Sequence, residues 1–264
     1  MTPTVFINPA IKKRYILLLI LWSSIISVNA QYSPNYIAKT GNSSHNLSEG
    51  TCIVHYDNNG NTLQAGMFGG TFTSNYVIGD ITLQSTAFIN GYISKINTVG
   101  DVEWAYTFGG NNQLILRFMK TDSKGNIIIT GAFRGNVDFN PDPVEVKSLS
   151  GSTTNITNFI LKLDPNGKFL WVSTFGGISW DTEGEAIEVD RTDNIIIAGE
   201  FTNTLYFGNF NMSTPGSKLY CLKVNGNDGK LIWGKKYIDI NSTFNMKIVV
   251  DLSLIHISEP TRPY

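Results

Sequence analysis

A hairpin-like stretch that recurs along the chain constrains the fold more than any other feature. Residues 159–177 read FILKLDPNGKFLWVSTFGG, with apolar side chains at alternate positions on both sides of an Asp-Pro-Asn-Gly sequence. Alternation with a period of two is typical of a half-buried strand, and Pro-Asn-Gly favours a tight reversal. The stretch therefore predicts two antiparallel strands joined by a turn.

The same hairpin occurs once before and once after this stretch. Residues 92–110 (YISKINTVGDVEWAYTFGG) keep the lysine, the tryptophan and the paired glycines at a constant offset of 67 positions. Residues 220–239 (YCLKVNGNDGKLIWGKKYID) keep the lysine and the tryptophan, carry one extra turn residue, and end in Ile-Asp where the others have Gly-Gly. The tryptophans of the three copies are Trp104, Trp171 and Trp233.

A second hairpin precedes each of these copies. It begins at a turn aspartate and continues into a strand with a glycine nine residues later. The aspartates recur where the chain reverses. This is expected of a carboxylate that accepts hydrogen bonds from the backbone of its own turn. We interpret the glycines as positions where backbone crowding near a central axis of the fold leaves little room for a side chain. The aspartates are Asp57, Asp122 and Asp190, and the glycines are Gly66, Gly131 and Gly199.

One unit therefore contains four strands in about 61–68 residues, with a long connection between the second and third. Repetition at such a period indicates stacked units, and four-stranded antiparallel units are the blades of propellers. We predict an all-β fold, a β-propeller of four-stranded antiparallel blades, present here as an incomplete arc of about three. The repeats are at about 50–110, 114–177 and 183–239, with a stub at 245–251.

The repeat resembles the SBBP family, the seven-bladed β-propeller repeats of bacterial secreted proteins. Residues 186–201 (AIEVDRTDNIIIAGEF) and 159–177 carry the resemblance, which extends over the partial propeller at 50–251. It implies an exported, non-catalytic scaffold that binds a ligand or adheres to a surface. Such repeats belong to larger secreted or cell-surface proteins, often of Bacteroidota.

The first 30 residues have the order of a secretory signal peptide. Lys12-Lys13-Arg14 precede an apolar run of 14 residues, which is shorter than a bilayer span, and a small residue follows at Ala30. We predict that 1–30 are removed and that the mature chain is secreted or displayed at the cell surface, without a membrane span. An uncleaved anchor is the alternative.

Two further segments flank the repeats. Residues 31–49 form an N-terminal segment in which 34–40 have the aromatic spacing of a last strand, so they are predicted to close the ring; a plain linker is the alternative. Residues 252–264, LSLIHISEPTRPY, resemble a translated sequencing adaptor. We predict that this tail is non-native and that further blades are missing.

The sequence predicts no catalytic residue, no cofactor and no metal site. Its three histidines are scattered, so they form neither a metal cage nor a base for a nucleophile. A formal net charge of −1 gives no basic field, which excludes nucleic acid as a partner. The expected partner is an extracellular protein or glycan.

Two groups of loop residues are candidates for ligand contact. Trp180, Asp181 and Glu183 follow a glycine pair and would place an aromatic ring beside acids; burial of the tryptophan between blades is the alternative. Asp138 and Asp142 offer oxygen ligands, but no distal glutamate follows at calcium-loop spacing, so solvated turns are favoured.

Two other functions remain open from the sequence. The hairpins at 159–177 and 220–239 resemble the blade-docking motif of quinoprotein dehydrogenases, which implies an enzyme whose active-site residues lie in missing blades. A structural spacer in an adhesin is the second alternative.

Overall fold

The computed structural model describes residues 53–69, 75–85, 89–142, 144–177, 183–239, 249–250 and 255–256. All of them belong to one compact unit, residues 39–264. They form 18 β-strands joined by turns and loops. No helix of this described part is long and apolar enough to cross a membrane.

The strands are described here by the three repeat units of the sequence. The first unit contains β1 (Ile53–Tyr56), β2 (Thr62–Phe68), β3 (Asn75–Ile78), β4 (Ile81–Gln84), β5 (Asn90–Ile96) and β6 (Val102–Gly110). The second contains β7 (Leu114–Thr121), β8 (Ile127–Phe133), β9 (Asn136–Asp138), β10 (Ser148–Ser150), β11 (Thr157–Leu163) and β12 (Phe169–Gly177). The third contains β13 (Glu183–Val189), β14 (Ile195–Phe207), β15 (Phe210–Val224) and β16 (Leu231–Asp239), and β17 (Val249–Val250) and β18 (Ile255–His256) follow.

Each unit contains four antiparallel strands paired in series, and we call such a set a blade. Blade 1 pairs in the order β1-β2-β5-β6, blade 2 in the order β7-β8-β11-β12, and blade 3 in the order β13-β14-β15-β16. The all-β antiparallel prediction is confirmed, and so is the hairpin at 159–177, which is β11 and β12. Ring closure and the total number of blades stay predictions.

A β-bulge recurs between the third and fourth strands of every blade. In blade 2 the register shifts after Lys162, which lies opposite Trp171, so that Leu170 is skipped. The skipped side chain points to solvent, with 46% of its surface exposed. The bulge increases local twist and fixes the lysine and the tryptophan on one face. The same lysine–tryptophan pairs are Lys95–Trp104 and Lys223–Trp233.

The apolar cores lie between blades. Alternate residues of β8 enter two different cores: Ile127 and Ile129 pack with residues of blade 1, whereas Ile128 packs with residues of blade 3. A strand buried on both sides needs apolar residues at every position, which accounts for the run Ile-Ile-Ile. We call the side of a blade that faces the next unit its forward face and the opposite side its back face.

The paired glycines at the end of a fourth strand contact the next unit. Gly109 and Gly110 of β6 pair with Asp138 and Val137 of β9, the strand inserted between the second and third strands of blade 2. A side chain on Gly110 would overlap the carbonyl of Asn136. Only glycine allows this approach. Gly176 and Gly177 pair in the same way with Tyr206 and Leu205 of β14.

Three predicted segments lie wholly or mostly outside the described residues. These are the signal peptide at 1–30, the segment at 31–49 with its closing strand, and the tail at 252–264, of which only β18 is described. Part of the predicted stub at 245–251 is β17, which pairs with β18.

Candidate functional site

Each blade contains an ion pair between its first turn and its third strand. In blade 2, Asp122 Oδ2 lies 2.7 Å from Lys162 Nζ, and the two side chains are only 1% and 4% exposed. Because the charges are buried together, each neutralises the other. The equivalent distances are 2.7 Å for Asp190–Lys223 and 3.3 Å for Asp57–Lys95.

The same aspartates close the turns between first and second strands. Asp122 Oδ1 accepts hydrogen bonds from the backbone N–H groups of Lys124 and Asn126. Burial raises the pKa of Asp122, but hydrogen bonds from Lys162 and Asn126 outweigh it and hold the pKa below its ordinary value of 3.8. In Asp57 and Asp190 too, burial raises the pKa, but hydrogen bonds to the carboxylate outweigh this effect and lower it. These carboxylates are ionised. Each one accepts hydrogen bonds from its turn and forms an ion pair with the lysine of its blade.

Two of the repeated tryptophans, Trp104 and Trp171, lie beneath turns of the following blade. At the junction of blades 2 and 3, the Trp171 ring lies against Gly229, in the turn between β15 and β16. At the junction of blades 1 and 2, Trp104 and Tyr106 stack with ring centroids 5.3 Å apart and lie against Gly167. Both turn glycines have positive φ, and a β-carbon would collide with the rings.

The turn of the third hairpin supplies an acceptor to blade 2. The carbonyl oxygen of Gly226 accepts hydrogen bonds from Lys162 Nζ at 2.7 Å and from Trp171 Nε1 at 3.2 Å. Ser173 Oγ donates to the carbonyl of Gly229 at 2.8 Å. This junction therefore has directional bonds in addition to apolar contact.

A second polar contact joins the first turns of blades 2 and 3. Asp193 has φ of 60°, where the two preceding units have glycine. Its carboxylate accepts hydrogen bonds from Ser123 N at 2.9 Å and from Ser123 Oγ at 2.8 Å. Aspartate tolerates the left-handed region better than most residues, so Asp193 stands in place of glycine at a modest cost in backbone strain.

The strand glycines face aromatic rings of the third strand. A β-carbon on Gly66 would lie 2.7 Å from the Tyr92 ring, and one on Gly131 would overlap the backbone carbonyl oxygen of Ile115 in β7 and lie 2.8 Å from the Phe159 ring. Gly199 pairs with Tyr220 in the same register. At Gly131 the backbone of the neighbouring strand and an aromatic ring both leave no room for a side chain, whereas at Gly66 the ring of Tyr92 does so. The sequence interpretation included the backbone but not the rings.

The innermost described strands carry a polar row. His55, Lys120 and Glu188 occupy the same position in β1, β7 and β13. Lys120 Nζ lies 2.6 Å from Glu188 Oε1, and His55 Nε2 lies 3.1 Å from Thr121 Oγ1. Burial, followed by the positive charge of Lys120, lowers the pKa of His55 below 6.5. The row joins successive blades electrostatically.

The loop between β9 and β10 is built on the predicted Asp138 and Asp142. Asp138 Oδ1 accepts hydrogen bonds from the N–H groups of Asn140 and Lys147, which closes the loop at its base. Asn140 Oδ1 then accepts from Asp142 N, and Asp142 Oδ1 accepts from Val144 N. These bonds give both aspartates a role in shaping the loop.

This loop carries two exposed apolar side chains. Val144 is 85% exposed and Val146 is 65% exposed. Because the loop is held by its own hydrogen bonds, these side chains are presented without a large loss of conformational freedom on binding. The sequence pattern identified the aspartates but not the valines.

The other predicted loop residues are only partly described. Trp180 and Asp181 lie outside the described residues, and Glu183 begins β13 opposite Glu200. Among the residues that the structure describes, no group of three or more His, Cys, Asp or Glu side chains could hold a metal ion. Cys221 is a buried free thiol, and burial raises its pKa to about 11.

The chain is similar in part to a distant relative among known proteins. No protein-family model matches the chain. It is 33% identical over 121 residues to an uncharacterized WD repeat-containing protein, L264, of Acanthamoeba polyphaga mimivirus. The matched part is 41% of this chain and 9% of the viral protein, so the chain spans a small part of that relative. This similarity and the antiparallel four-stranded units together indicate a propeller-like repeat fold.

Proposed function

We propose that the chain is a propeller-like scaffold that binds another protein through the 138–147 loop of blade 2. Two observations support a scaffold. The repeated residues serve turns and blade junctions, as the Asp122–Lys162 pair and the Trp171–Gly226 bond illustrate. The viral relative is named for WD repeats, which are propeller units.

The observation that carries the proposal is the exposure of Val144 and Val146 on a loop with a closed base. Isolated exposed apolar residues are common and need no explanation. Here two of them lie close together on a loop that its own side chains hold in shape. Preorganised apolar groups of this kind are typical of protein-binding loops.

The test compares three proteins. The wild-type chain, a Val144→Asp/Val146→Asp double variant and a Val99→Asp control are immobilised and exposed to extracellular fluid of the source culture. Val99 is a suitable control because it is 80% exposed in a turn of blade 1. Captured proteins are then purified and titrated calorimetrically against each chain.

We expect a protein that binds the wild type and the control but binds the double variant about tenfold more weakly or worse. Equal binding by all three chains would exclude the loop. A glycan array run with the same three proteins tests the glycan alternative, since loop-dependent glycan binding in place of protein binding would contradict the proposal.

We also infer that the repeat belongs to the SBBP family and that the protein is exported. The motif at 186–201 and the order of residue types at 1–30 support these two inferences. N-terminal sequencing of protein collected from the medium tests export. A first residue near Gln31 is expected. A protein that stays in the cells and still carries residues 1–30 would contradict the inference.

A further inference from the structure

The two described junctions between blades differ at one position on the forward face of the fourth strand. This position lies two residues after the repeated tryptophan and holds Tyr106 in blade 1 and Ser173 in blade 2. The two are equivalent by register, because they lie opposite Ile93 and Ile160 of the third strands. We propose that the residue at this position is matched to the length of the turn between the third and fourth strands of the following blade. The match selects which repeat unit can follow which.

The turns that the two side chains meet differ in length. In blade 2 a hydrogen bond from Asp164 N to Lys168 O, 2.8 Å long, closes a turn of three residues. In blade 3 the corresponding bond runs from Asn225 N to Lys230 O, also at 2.8 Å, and closes a turn of four residues. We call the first the short turn and the second the long turn.

Each side chain contacts the last glycine of the turn that it meets. A β-carbon on Gly167 of the short turn would lie 2.8 Å from the ring of Tyr106, and one on Gly229 of the long turn would overlap Ser173 Oγ. A tyrosine ring extends much farther from its strand than a serine hydroxyl does, yet both side chains reach the turn. The backbone of the long turn therefore lies closer to the preceding fourth strand than the backbone of the short turn does.

The repeated lysines show the same difference between the junctions. Lys162 Nζ donates a hydrogen bond across its junction to Gly226 O of the long turn at 2.7 Å. Its equivalent, Lys95 Nζ, lies 3.3 Å from Asp57 Oδ2 and 3.7 Å from Glu103 Oε2, and both carboxylates belong to its own blade. The long turn thus comes close enough to bond the lysine of the preceding blade, in agreement with its close approach to the serine.

Each side chain suits its own turn and not the other. Ser173 Oγ donates to Gly229 O at 2.8 Å, so a tyrosine ring in the place of this serine would overlap the long turn. A serine in the place of Tyr106 would leave a gap beside the short turn, because the ring fills that space. Overpacking and unfilled space both destabilise a protein interior. A mismatch of side chain and turn is therefore penalised, and such penalties are what discriminate between partners.

A double-mutant cycle at the junction of blades 1 and 2 tests the match. One variant is Tyr106→Ser, a second has the long-turn sequence Asn-Gly-Asn-Asp-Gly in place of residues 164–167, and a third combines both changes. Urea unfolding of the full chain gives the unfolding equilibrium constant of each variant. We expect each single change to destabilise the chain. The combined variant should be about tenfold more stable, in that constant, than the two single effects together predict.

The matched control places the same long-turn sequence at residues 97–100, in the turn of the hairpin that contains Tyr106. That turn has the short form, closed by Asn97 N and Asp101 O at 2.9 Å. It begins four residues beyond the partner of Tyr106, which is about 13 Å along the strand. We expect this turn replacement and Tyr106→Ser to have additive effects, because the two sites do not touch.

A reciprocal cycle at the junction of blades 2 and 3 combines Ser173→Tyr with Asp-Pro-Asn-Gly in place of residues 225–229. It should show coupling of the same sign, and it provides the measurement if a variant of the first cycle fails to fold. Additive effects at both junctions would overturn the proposal, because side chain and turn would then act independently. Coupling of equal size in the control would also overturn it, since Tyr106 would then respond to a turn that it does not contact.

Discussion

Trp171 donates the hydrogen of its indole nitrogen to the carbonyl oxygen of Gly226, 3.2 Å away, across the junction between blades 2 and 3. The same ring lies against Gly229. One side chain therefore supplies apolar area and a directional bond to the next blade. Neither contact is local in sequence, so Trp171 of one unit stabilises the junction with the next.

Replacing Trp171 by phenylalanine tests this bond. The variant keeps an aromatic ring but loses the N–H donor, so we expect about 1–2 kcal/mol lower free energy of unfolding in urea, beyond the effect of ring size. Trp233→Phe is the matched control, because no following blade covers Trp233 among the described residues. Equal losses in the two variants would show that the bond to Gly226 contributes nothing.

The Asp122→Asn substitution should be more damaging than the Asp57→Asn substitution. It leaves Lys162 charged in a site where only 4% of the lysine side chain is exposed. Loss of one partner of such a pair costs about 3–5 kcal/mol in free energy of unfolding. Asp57→Asn should cost less, because the Asp57–Lys95 pair is longer, at 3.3 Å, and more exposed. Urea unfolding compares them, and the reverse order would contradict the assignment.

The acid side of the stability profile should depend on the same carboxylates. Their pKa values are lower in the folded chain than the ordinary 3.8. The stability that they contribute is therefore complete above that value and is lost as the pH falls through their folded pKa values. The midpoint of urea unfolding should drop steeply below about pH 4, and the drop should be smaller in Asp122→Asn. An equally steep drop in that variant would contradict the prediction.

His55 should act in a separate pH window. Its folded pKa lies below the unfolded value of 6.5, so below that pH the unfolded chain binds a proton that the folded chain does not. Stability should decline as the pH falls from about 6.5, and His55→Gln should reduce this decline without altering the loss below about pH 4. An unchanged slope near pH 6 in the variant would show that His55 titrates alike in both states.

The sequence predicted the local features well and the junctions poorly. Alternation and turn chemistry are properties of neighbouring residues, so the hairpin at 159–177 could be predicted. The acceptor role of Gly226 could not, because that carbonyl meets Lys162 and Trp171 only when blade 2 lies beside the turn. The glycine pair at Gly109 and Gly110 was recognised as a repeat, but its partner strand β9 lies in a connection whose sequence differs between units.

The 138–147 loop was likewise predictable from the sequence only in part. Asp138 and Asp142 are visible as a pattern of oxygen-bearing residues, and the structure uses both to shape the loop. The exposure of Val144 and Val146 depends on where the loop lies relative to the blade, and their residue type alone would have favoured burial.

The central claim, that each blade covers the tryptophan of the blade before it, is tested most directly by nuclear magnetic resonance. In a sample with labelled glycine and tryptophan, the α-protons of Gly229 should show nuclear Overhauser effects to the Trp171 ring, and those of Gly167 should show them to Trp104. Both glycines should also carry ring-current shifts. Absence of these effects in a folded sample would mean that the blades do not stack as described.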